Sequence, residues 1–263
     1  MPRFKHEDLL MFYKVVGNGE PLLLIHGLGS DHRGWEFQEE ALAAHFQLII
    51  PDLRGHGQTE VDELGMMIPA AVFADDLAAL LQHLKHPKVH VVGHSLGGIV
   101  AQSFVLRYPD RVRKLVLMGT TPKVTDDLID VVYGWREVQV EGGQEAYFWT
   151  SLRSGFSDEW IENNPDIVQH LKELSEEANE EGIVAAGLGL ASTDFTGRLG
   201  EIKAETMIIH GDEDRIIKPE MGVLLHQGIQ GSVMKVFKKC GHSPTVQEQD
   251  RLNGVLIEFF KDE

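Results

Sequence analysis

The stretch Val89-His90-Val91-Val92-Gly93-His94-Ser95-Leu96-Gly97-Gly98-Ile99-Val100-Ala101-Gln102 changes character in its middle. Its first four residues are a short apolar run of strand type. Its last four continue into Ser103-Phe104-Val105-Leu106, which is compatible with a helix. Between them Gly93 and Gly97 bracket Ser95 in the pattern G-x-S-x-G. That pattern predicts a strand, a very sharp turn and a helix, with the serine at the apex. A turn this tight crowds its neighbours, and glycine two before and two after removes the Cβ atoms that would clash. The serine hydroxyl would then stand clear of the backbone. The amide of Leu96 would lie at a helix N-terminus, where free N–H groups and the helix dipole favour negative charge. A Gly-rich turn with a surface serine is the bland alternative, and the flanking strand and helix weigh against it.

Working outward, apolar runs alternate with helical patterns. Leu9 to Val16 ends at Gly17-Asn18-Gly19 and predicts a strand closed by a turn, as in a hairpin. Pro21 to Ile25 is apolar throughout, as expected of a strand inside a mostly parallel sheet. A helical pattern over Trp35–His45, a strand over Phe46–Pro51 and a helix over Ala70–Leu84 follow, with another strand over Val112–Met118 beyond the serine helix. From Thr120 to Leu199 the alternation stops and the pattern is helical throughout. It resumes with strands at Thr206–His210 and Ser232–Phe237, helices near 219–230, and a final amphipathic helix at 250–261. This order predicts an α/β protein with a mostly parallel central sheet flanked by helices. The divisions are a core over 1–119 and 200–263, and a helical cap over 120–199.

A serine hydroxyl is a poor nucleophile without a base to take its proton and an acid to orient that base. Two later strands lead into suitable residues. Thr206–His210 runs into Gly211-Asp212-Glu213-Asp214, and Ser232–Phe237 runs into Lys238-Lys239-Cys240-Gly241-His242. Loops at the carboxyl ends of parallel strands face one crevice. Ser95, an acid near 214 and His242 are therefore expected to converge there.

The chain resembles the α/β-hydrolase-fold serine hydrolases. The matching segments are His26-Gly27-Leu28-Gly29, Pro51-Asp52-Leu53-Arg54-Gly55-His56-Gly57, Gly93 to Gly98, Gly211-Asp212-Glu213-Asp214 and Gly241-His242, spread over nearly the whole length in the family's order. The loops Gly29–Trp35 and Arg107–Val112 are similar to those of carboxylesterases and 3-oxoadipate enol-lactonases. The resemblance implies Ser95 as nucleophile, His242 as general base and then general acid, and Asp214 as the acid that holds it, with Asp212 as the competitor. It also implies an oxyanion hole from the backbone amides of Leu28 and Leu96. The implied reaction is hydrolysis of a small-to-medium carboxylic ester or lactone through an acyl-enzyme on Ser95. Hydrolysis of a C–C bond in a diketone, or perhydrolysis, would use the same three residues. A ligand receptor on this fold with vestigial hydrolysis is the reading from another class. Serine at 95, where carboxylate is required, argues against the dehalogenase and epoxide-hydrolase branches.

Other residues are read as scaffold. His26, Arg54, His56 and His94 adjoin motif glycines and are expected to tie loops together. Cys240 is expected to be a small buried hydrophobe. Among the cap aromatics, Trp135 and Trp149 are the candidates to face substrate, with Tyr133 and Phe148 close behind. A carboxylate-bearing lactone would need a cation in the pocket. Arg33, Arg136 and Arg153 are available, though surface ion pairing is the plainer role for each.

Composition narrows the partners. The 263 residues carry 24 basic and 41 acidic side chains, for a net charge of −17. That opposes binding to nucleic acid or an anionic membrane surface. There is one cysteine, so no internal disulfide can form. No run of about 18 apolar residues occurs. A cytoplasmic protein acting on a small-molecule substrate is the expectation, with no cofactor and no metal: the His-Glu-x-x-His, paired-Cys, EF-hand and phosphate-loop patterns are all missing.

Overall fold

The computed structural model describes residues 2–261; Met1, Asp262 and Glu263, the outer ends of the expected divisions, lie outside the described residues. Strands β1 (Arg3–His6), β2 (Leu9–Val16), β3 (Glu20–Ile25), β4 (Phe46–Pro51), β5 (Glu60–Val61), β6 (Val89–His94), β7 (Val112–Met118), β8 (Glu205–Gly211) and β9 (Val233–Phe237) form one sheet. Its order is β1-β2-β4-β3-β6-β7-β8-β9, with β5 on β2. From β4 to β9 neighbouring strands are parallel; β1, β2 and β5 pair antiparallel.

The interior strands are apolar on both sides because both sides are covered. In β3, Leu22 and Leu24 face one cluster while Leu23 and Ile25 face the other. Val116 and Met118 alternate with Leu115 and Leu117 in β7 in the same way. Helices α1 (Glu36–Ala43) and, at the C-terminal end, the last helix over Gln249–Lys261 cover the first side through Leu42, Leu252, Leu256 and Phe260. Helices α2 (Ala70–His83) and α3 (Leu96–Arg107) cover the second through Phe73, Leu77, Val100 and Phe104. Each such side chain contributes roughly 1.5–3 kcal/mol on full burial.

Between β7 and β8 stand four helices: α4 (Asp126–Gly155), α5 (Asp158–Asn163), α6 (Pro165–Glu176) and α7 (Glu180–Leu190). Lys123 and Asp194 pair across the neck of this excursion. Gly143, with φ 74° and ψ −172°, breaks α4 into two segments. After β8 come α8 (Pro219–Gly228), α9 (Pro244–Gln247) and α10, the Gln249–Lys261 helix. No helix among the described residues is long and apolar enough to cross a membrane.

The hairpin expected at Gly17-Asn18-Gly19 takes a different form. β2 and β3 are not paired, because β4 lies between them, antiparallel to β2 and parallel to β3. The turn instead carries the chain over the end of β4. Gly17, at φ 80°, packs so closely on the Ala43 and Phe46 carbonyls that no Cβ would fit. The hairpin that does form joins β1 to β2 around Glu7-Asp8. β1 had no sequence signal, since Arg3-Phe4-Lys5-His6 alternates without an apolar face.

Candidate active site

Strand β6 delivers Ser95, and α3 begins at the next residue. Ser95 has φ 55° and ψ −121°, a conformation that costs a non-glycine residue on the order of 1–3 kcal/mol. The surroundings hold it there. Its amide donates to the Met118 carbonyl at 2.9 Å, and its carbonyl accepts from the Gly98 amide at 2.9 Å and Thr120 Oγ1 at 2.7 Å. A Cβ at Gly97 would strike the Ile25 and His26 carbonyls, and one at Gly98 would strike Thr120. Close approach of α3 to the sheet therefore requires both glycines. With its backbone groups engaged, the side chain is what Ser95 presents to the crevice.

Ser95 Oγ lies 2.9 Å from His242 Nε2, and His242 Nδ1 lies 2.8 Å from Asp214 Oδ2. For one neutral imidazole to make both bonds, Nδ1–H donates to Asp214 and Nε2 accepts from the serine hydroxyl. Asp214 is fully engaged. Its Oδ1 accepts from the Ile216 and Ile217 amides at 2.9 Å each, and His210 Nε2 stands 3.3 Å from Oδ2. Burial alone would push the Asp214 carboxyl up. The charge of His242 and hydrogen bonds from His210 and His242 outweigh burial and hold it well below the usual carboxylate range. Asp212 goes elsewhere: its Oδ1 accepts from the Lys239 amide at 2.7 Å and its Oδ2 pairs with Lys238. It pins the loop that carries His242.

That loop is braced twice more. His94 Nε2 donates to the His242 carbonyl at 2.8 Å, and the His242 amide donates to the Gly155 carbonyl at 2.9 Å. His94 is buried, and burial pushes its imidazole down to about 3. It is a neutral strut. His26 bonds the Gly27 carbonyl through Nδ1 (2.8 Å) and accepts from the Leu53 amide at Nε2 (2.9 Å), tying together the two loops after β3 and β4. Arg54 holds Asp76 with two bonds of 2.9 Å and Asp8 with one of 2.6 Å. His56 Nδ1 donates to the Arg54 carbonyl at 3.0 Å. Cys240 is buried, and burial pushes its thiol up to about 12, which leaves it unreactive at neutral pH.

Leu28 follows Gly27, whose hydrogen faces Ser95 closely enough that an added Cβ would lie 3.2 Å from the serine Cβ. Leu96 is the first residue of α3, where the amide has no intrahelical carbonyl. Both residues line a cavity of about 680 Å³ that also receives Ser95 and His242. Its walls are mainly apolar: Ile99, Ile216, Ile217 and Val246 from the core, Leu128, Val132, Phe148, Leu152 and Ile183 from the four-helix excursion.

The aromatics of the four-helix excursion divide. Trp135 lines the cavity, and its Nε1 donates to Ser154 Oγ at 3.3 Å. Trp149 requires a correction. It is not among the cavity-lining residues; its ring packs edge-on against Phe148 and beneath the Arg153 guanidinium. Neighbours in sequence on a helix point about 100° apart, so with Tyr147 and Phe148 both on the cavity side, Trp149 lies about 200° round from Tyr147 and faces away. Tyr147, which the sequence did not single out, does line the cavity. His210 beside Asp214 was also missed. Its position directly before Gly211, at the end of a buried strand, was the available signal.

The cations are paired. Arg33 at the cavity mouth holds Asp31 through several bonds, the shortest 2.6 Å, and Glu177 at 2.6 Å. Arg136 bonds Gln139 at 2.6 Å and Glu180 at 3.2 Å. Arg153 lies outside the cavity, 3.9 Å from Asp158. Asp31, His32 and Asp52 are clustered closely enough to suggest a metal site. Their atoms are otherwise occupied: Asp31 is taken by Arg33, while Asp52 accepts from the His32 amide (2.7 Å), His32 Nδ1 (2.8 Å) and the Gln58 amide (2.7 Å). The cluster is a brace for the loop before α1.

Residues 20–249 match the family model of the alpha/beta hydrolase fold. The chain is 31% identical over 260 residues to the 2-hydroxy-6-oxo-2,4-heptadienoate hydrolase of Pseudomonas putida, covering 94% of this chain and 91% of that protein. Among solved structures it is similar to a thermophilic esterase from Thermogutta terrifontis, with 28% identity, a TM-score of 0.87, and coverage of 96% of this chain and 93% of that one. A hydrolase from Pseudomonas aeruginosa superposes with a TM-score of 0.91 over 99% of this chain and 98% of its own, at 24% identity, a likeness of fold alone. The chain belongs to the α/β-hydrolase family.

Proposed function

We propose that this hydrolase cleaves a small-to-medium, uncharged carboxylic ester or lactone through an acyl-enzyme on Ser95. The observation that carries the reading is the unbroken line of hydrogen bonds from Ser95 Oγ to His242 to Asp214 at the floor of a mainly apolar cavity. Ser95 Oγ attacks the carbonyl carbon while His242 Nε2 takes its proton. Asp214 stabilises the imidazolium through Nδ1–H. The amides of Leu28 and Leu96 receive the charge that develops on the carbonyl oxygen. The tetrahedral intermediate expels the alcohol, which leaves with the proton from His242. Water, deprotonated by His242, then attacks the acyl carbon and releases the acid. The helices over 120–199 serve as a cap that keeps bulk water from the acyl-enzyme.

Preference for an uncharged substrate rests on the cavity's electrostatics. Arg33 and Arg136 are its lining cations among the described residues, and each is held by a carboxylate. A substrate carboxylate would have to displace one of those partners.

A second reading is hydrolysis of a C–C bond in a dienoate, as in the Pseudomonas putida relative's name. It uses the same three residues. The paired arginines make it the less favoured, because a dienoate carries the carboxylate that the cavity does not welcome.

A panel of 4-nitrophenyl esters from acetate to octanoate tests the proposal. Turnover near or above about 1 s⁻¹ that vanishes in Ser95→Ala is the expected result. Stoichiometric labelling of Ser95 without turnover would overturn it in favour of a ligand receptor. Faster cleavage of a 2-hydroxy-6-oxo-dienoate than of any ester would favour the C–C reading.

A further inference from the structure

The hydroxyl of Tyr147 lines the cavity and has no protein partner among the described residues. The other polar side chains of the roof are mostly satisfied by protein: Trp135 Nε1 by Ser154, Gln144 Nε2 by the Ser175 carbonyl at 3.0 Å, Ser151 Oγ by the Phe148 carbonyl at 3.0 Å. Tyr147, on the second segment of α4, makes no side-chain hydrogen bond among the described residues, yet it lines the cavity. Its position is informative. A Cβ placed on Gly29 would lie 4.0 Å from Tyr147 Oη and 3.3 Å from Ile183 Cδ1. The phenol therefore stands beside the loop that carries Leu28, with an aliphatic side chain as its other neighbour. A ligand that fills the cavity takes solvent away from this hydroxyl: an oxygen acceptor arriving there replaces the lost hydrogen bond, and an all-carbon ligand leaves it unmade.

We propose that Tyr147 is a specificity-determining residue, whose hydroxyl donates to an uncharged oxygen on the substrate other than the reacting carbonyl. The class of substrate is an oxygenated ester or lactone, bearing a ketone, ether or hydroxyl on the acyl or alcohol part. The acceptor is uncharged because the lining cations among the described residues, Arg33 and Arg136, are already held by carboxylates, Glu180 among them. Burial, and next the Glu180 carboxylate, raise the Tyr147 phenol above its ordinary value, so it remains a donor throughout the neutral range. A carboxylate acceptor would meet Glu180 as a like charge. The inference rests on the hydrolase reading above and narrows its substrate.

The test compares matched substrates in wild type and Tyr147→Phe, which removes one oxygen atom and keeps the ring. On the acyl side the pair is 4-nitrophenyl 4-oxopentanoate and 4-nitrophenyl pentanoate. On the alcohol side it is 2-methoxyethyl acetate and butyl acetate, followed by acid release. The ratio of variant to wild-type kcat/KM cancels the intrinsic reactivity of each ester. The loss for the oxygenated member of at least one pair is expected to exceed the loss for its carbon partner by about tenfold, or 1.4 kcal/mol. Equal ratios across both pairs would overturn the proposal. A binding arm separates this failure from failure of the hydrolase reading. In a Ser95→Ala background, Tyr147→Phe should weaken calorimetric binding of the oxygenated member of at least one of the two pairs more than that of its carbon partner, whether or not the wild type turns either over. Equal weakening within both pairs would overturn the inference on its own.

Discussion

The amide of His242 donates to the carbonyl of Gly155 at 2.9 Å, so the last residue of α4 is bonded to the backbone of the residue whose imidazole faces Ser95. Gly241 makes this approach possible. A Cβ there would collide with the Gly155 carbonyl, and it would also crowd Gln247 Oε1 at 3.1 Å. Gly241→Ala must therefore separate the α4 end from the His242 loop. A displacement of about 1 Å at a reacting group costs on the order of 10²-fold in rate. The expected outcome is a 10- to 100-fold lower kcat on 4-nitrophenyl butyrate, with a folded protein by circular dichroism. Unchanged kcat would show that the contact does not position the base.

His210 is expected to act through Asp214. Its Nε2–H donates to the Ile217 carbonyl at 2.8 Å and leans toward Asp214 Oδ2 at 3.3 Å. Replacing it by Phe leaves Asp214 with fewer donors. More negative charge then remains on Oδ2, which favours the imidazolium form of His242. The acidic limb of the pH profile of kcat/KM should move to higher pH in His210→Phe. His210→Gln, whose amide nitrogen reaches the same place, should bring it back. A purely structural role would lower activity in both variants without moving the limb.

The sheet and the meeting of Ser95, His242 and Asp214 at one edge were legible because each depends on local sequence. A sharp turn needs Gly93 and Gly97 wherever it occurs, and strand ends at Gly211 and Phe237 put Asp214 and His242 on a common edge. What was not legible depends on distant packing. Nothing in Leu9–Val16 says that β4 will come between it and β3, since that choice is made by the parallel pairing of β3 with both β4 and β6. On α4, Tyr147, Phe148 and Trp149 are three successive aromatics of similar character. Which of them faces the cavity is fixed by the rotation of α4, and that is set beyond the kink at Gly143 by packing on Val168 and Val246. The sequence shows a helical pattern; it does not show its phase against the core.

Stability should fall on the acid side well before carboxylates titrate. Burial pushes the imidazoles of His26, His56 and His94 below their ordinary value, those of His56 and His94 down to about 3. A depressed folded value means that the unfolded chain takes up a proton below about pH 6.5 while the folded chain does not. The stability is thus fully present above about pH 6.5 and is lost as pH falls toward 3. His56 and His94 each add a slope of roughly 1.4 kcal/mol per pH unit within that window, and His26 acts in the same direction. Urea midpoints measured from pH 4 to 8 should show the decline. His56→Phe removes one of these groups, and its ring nitrogen Nε2 has no hydrogen-bond partner to lose. Its slope below pH 6.5 should be shallower by about one proton. An identical slope would place the proton uptake elsewhere.

The charge pairing at the cavity mouth makes a last prediction that separates electrostatics from shape. Glu180 binds both Arg136 and Gln139, and all three side chains lie at the rim of the cavity. Glu180→Gln keeps the size and the hydrogen-bonding pattern toward Gln139 but removes the charge that occupies Arg136. A substrate carboxylate can then approach that guanidinium without competition. Cleavage of the 4-nitrophenyl monoester of glutaric acid should rise about threefold relative to 4-nitrophenyl pentanoate at low salt. Rim charges act mainly on encounter and are screened, so the gain should disappear in 0.5 M salt, where the Debye length falls to about 4 Å. If the ratio of the two substrates is the same in wild type and variant at low salt, the paired arginines do not set the preference for uncharged substrates. Shape would then be the cause, and the apolar walls from Leu128, Val132 and Ile183 would be the next positions to change.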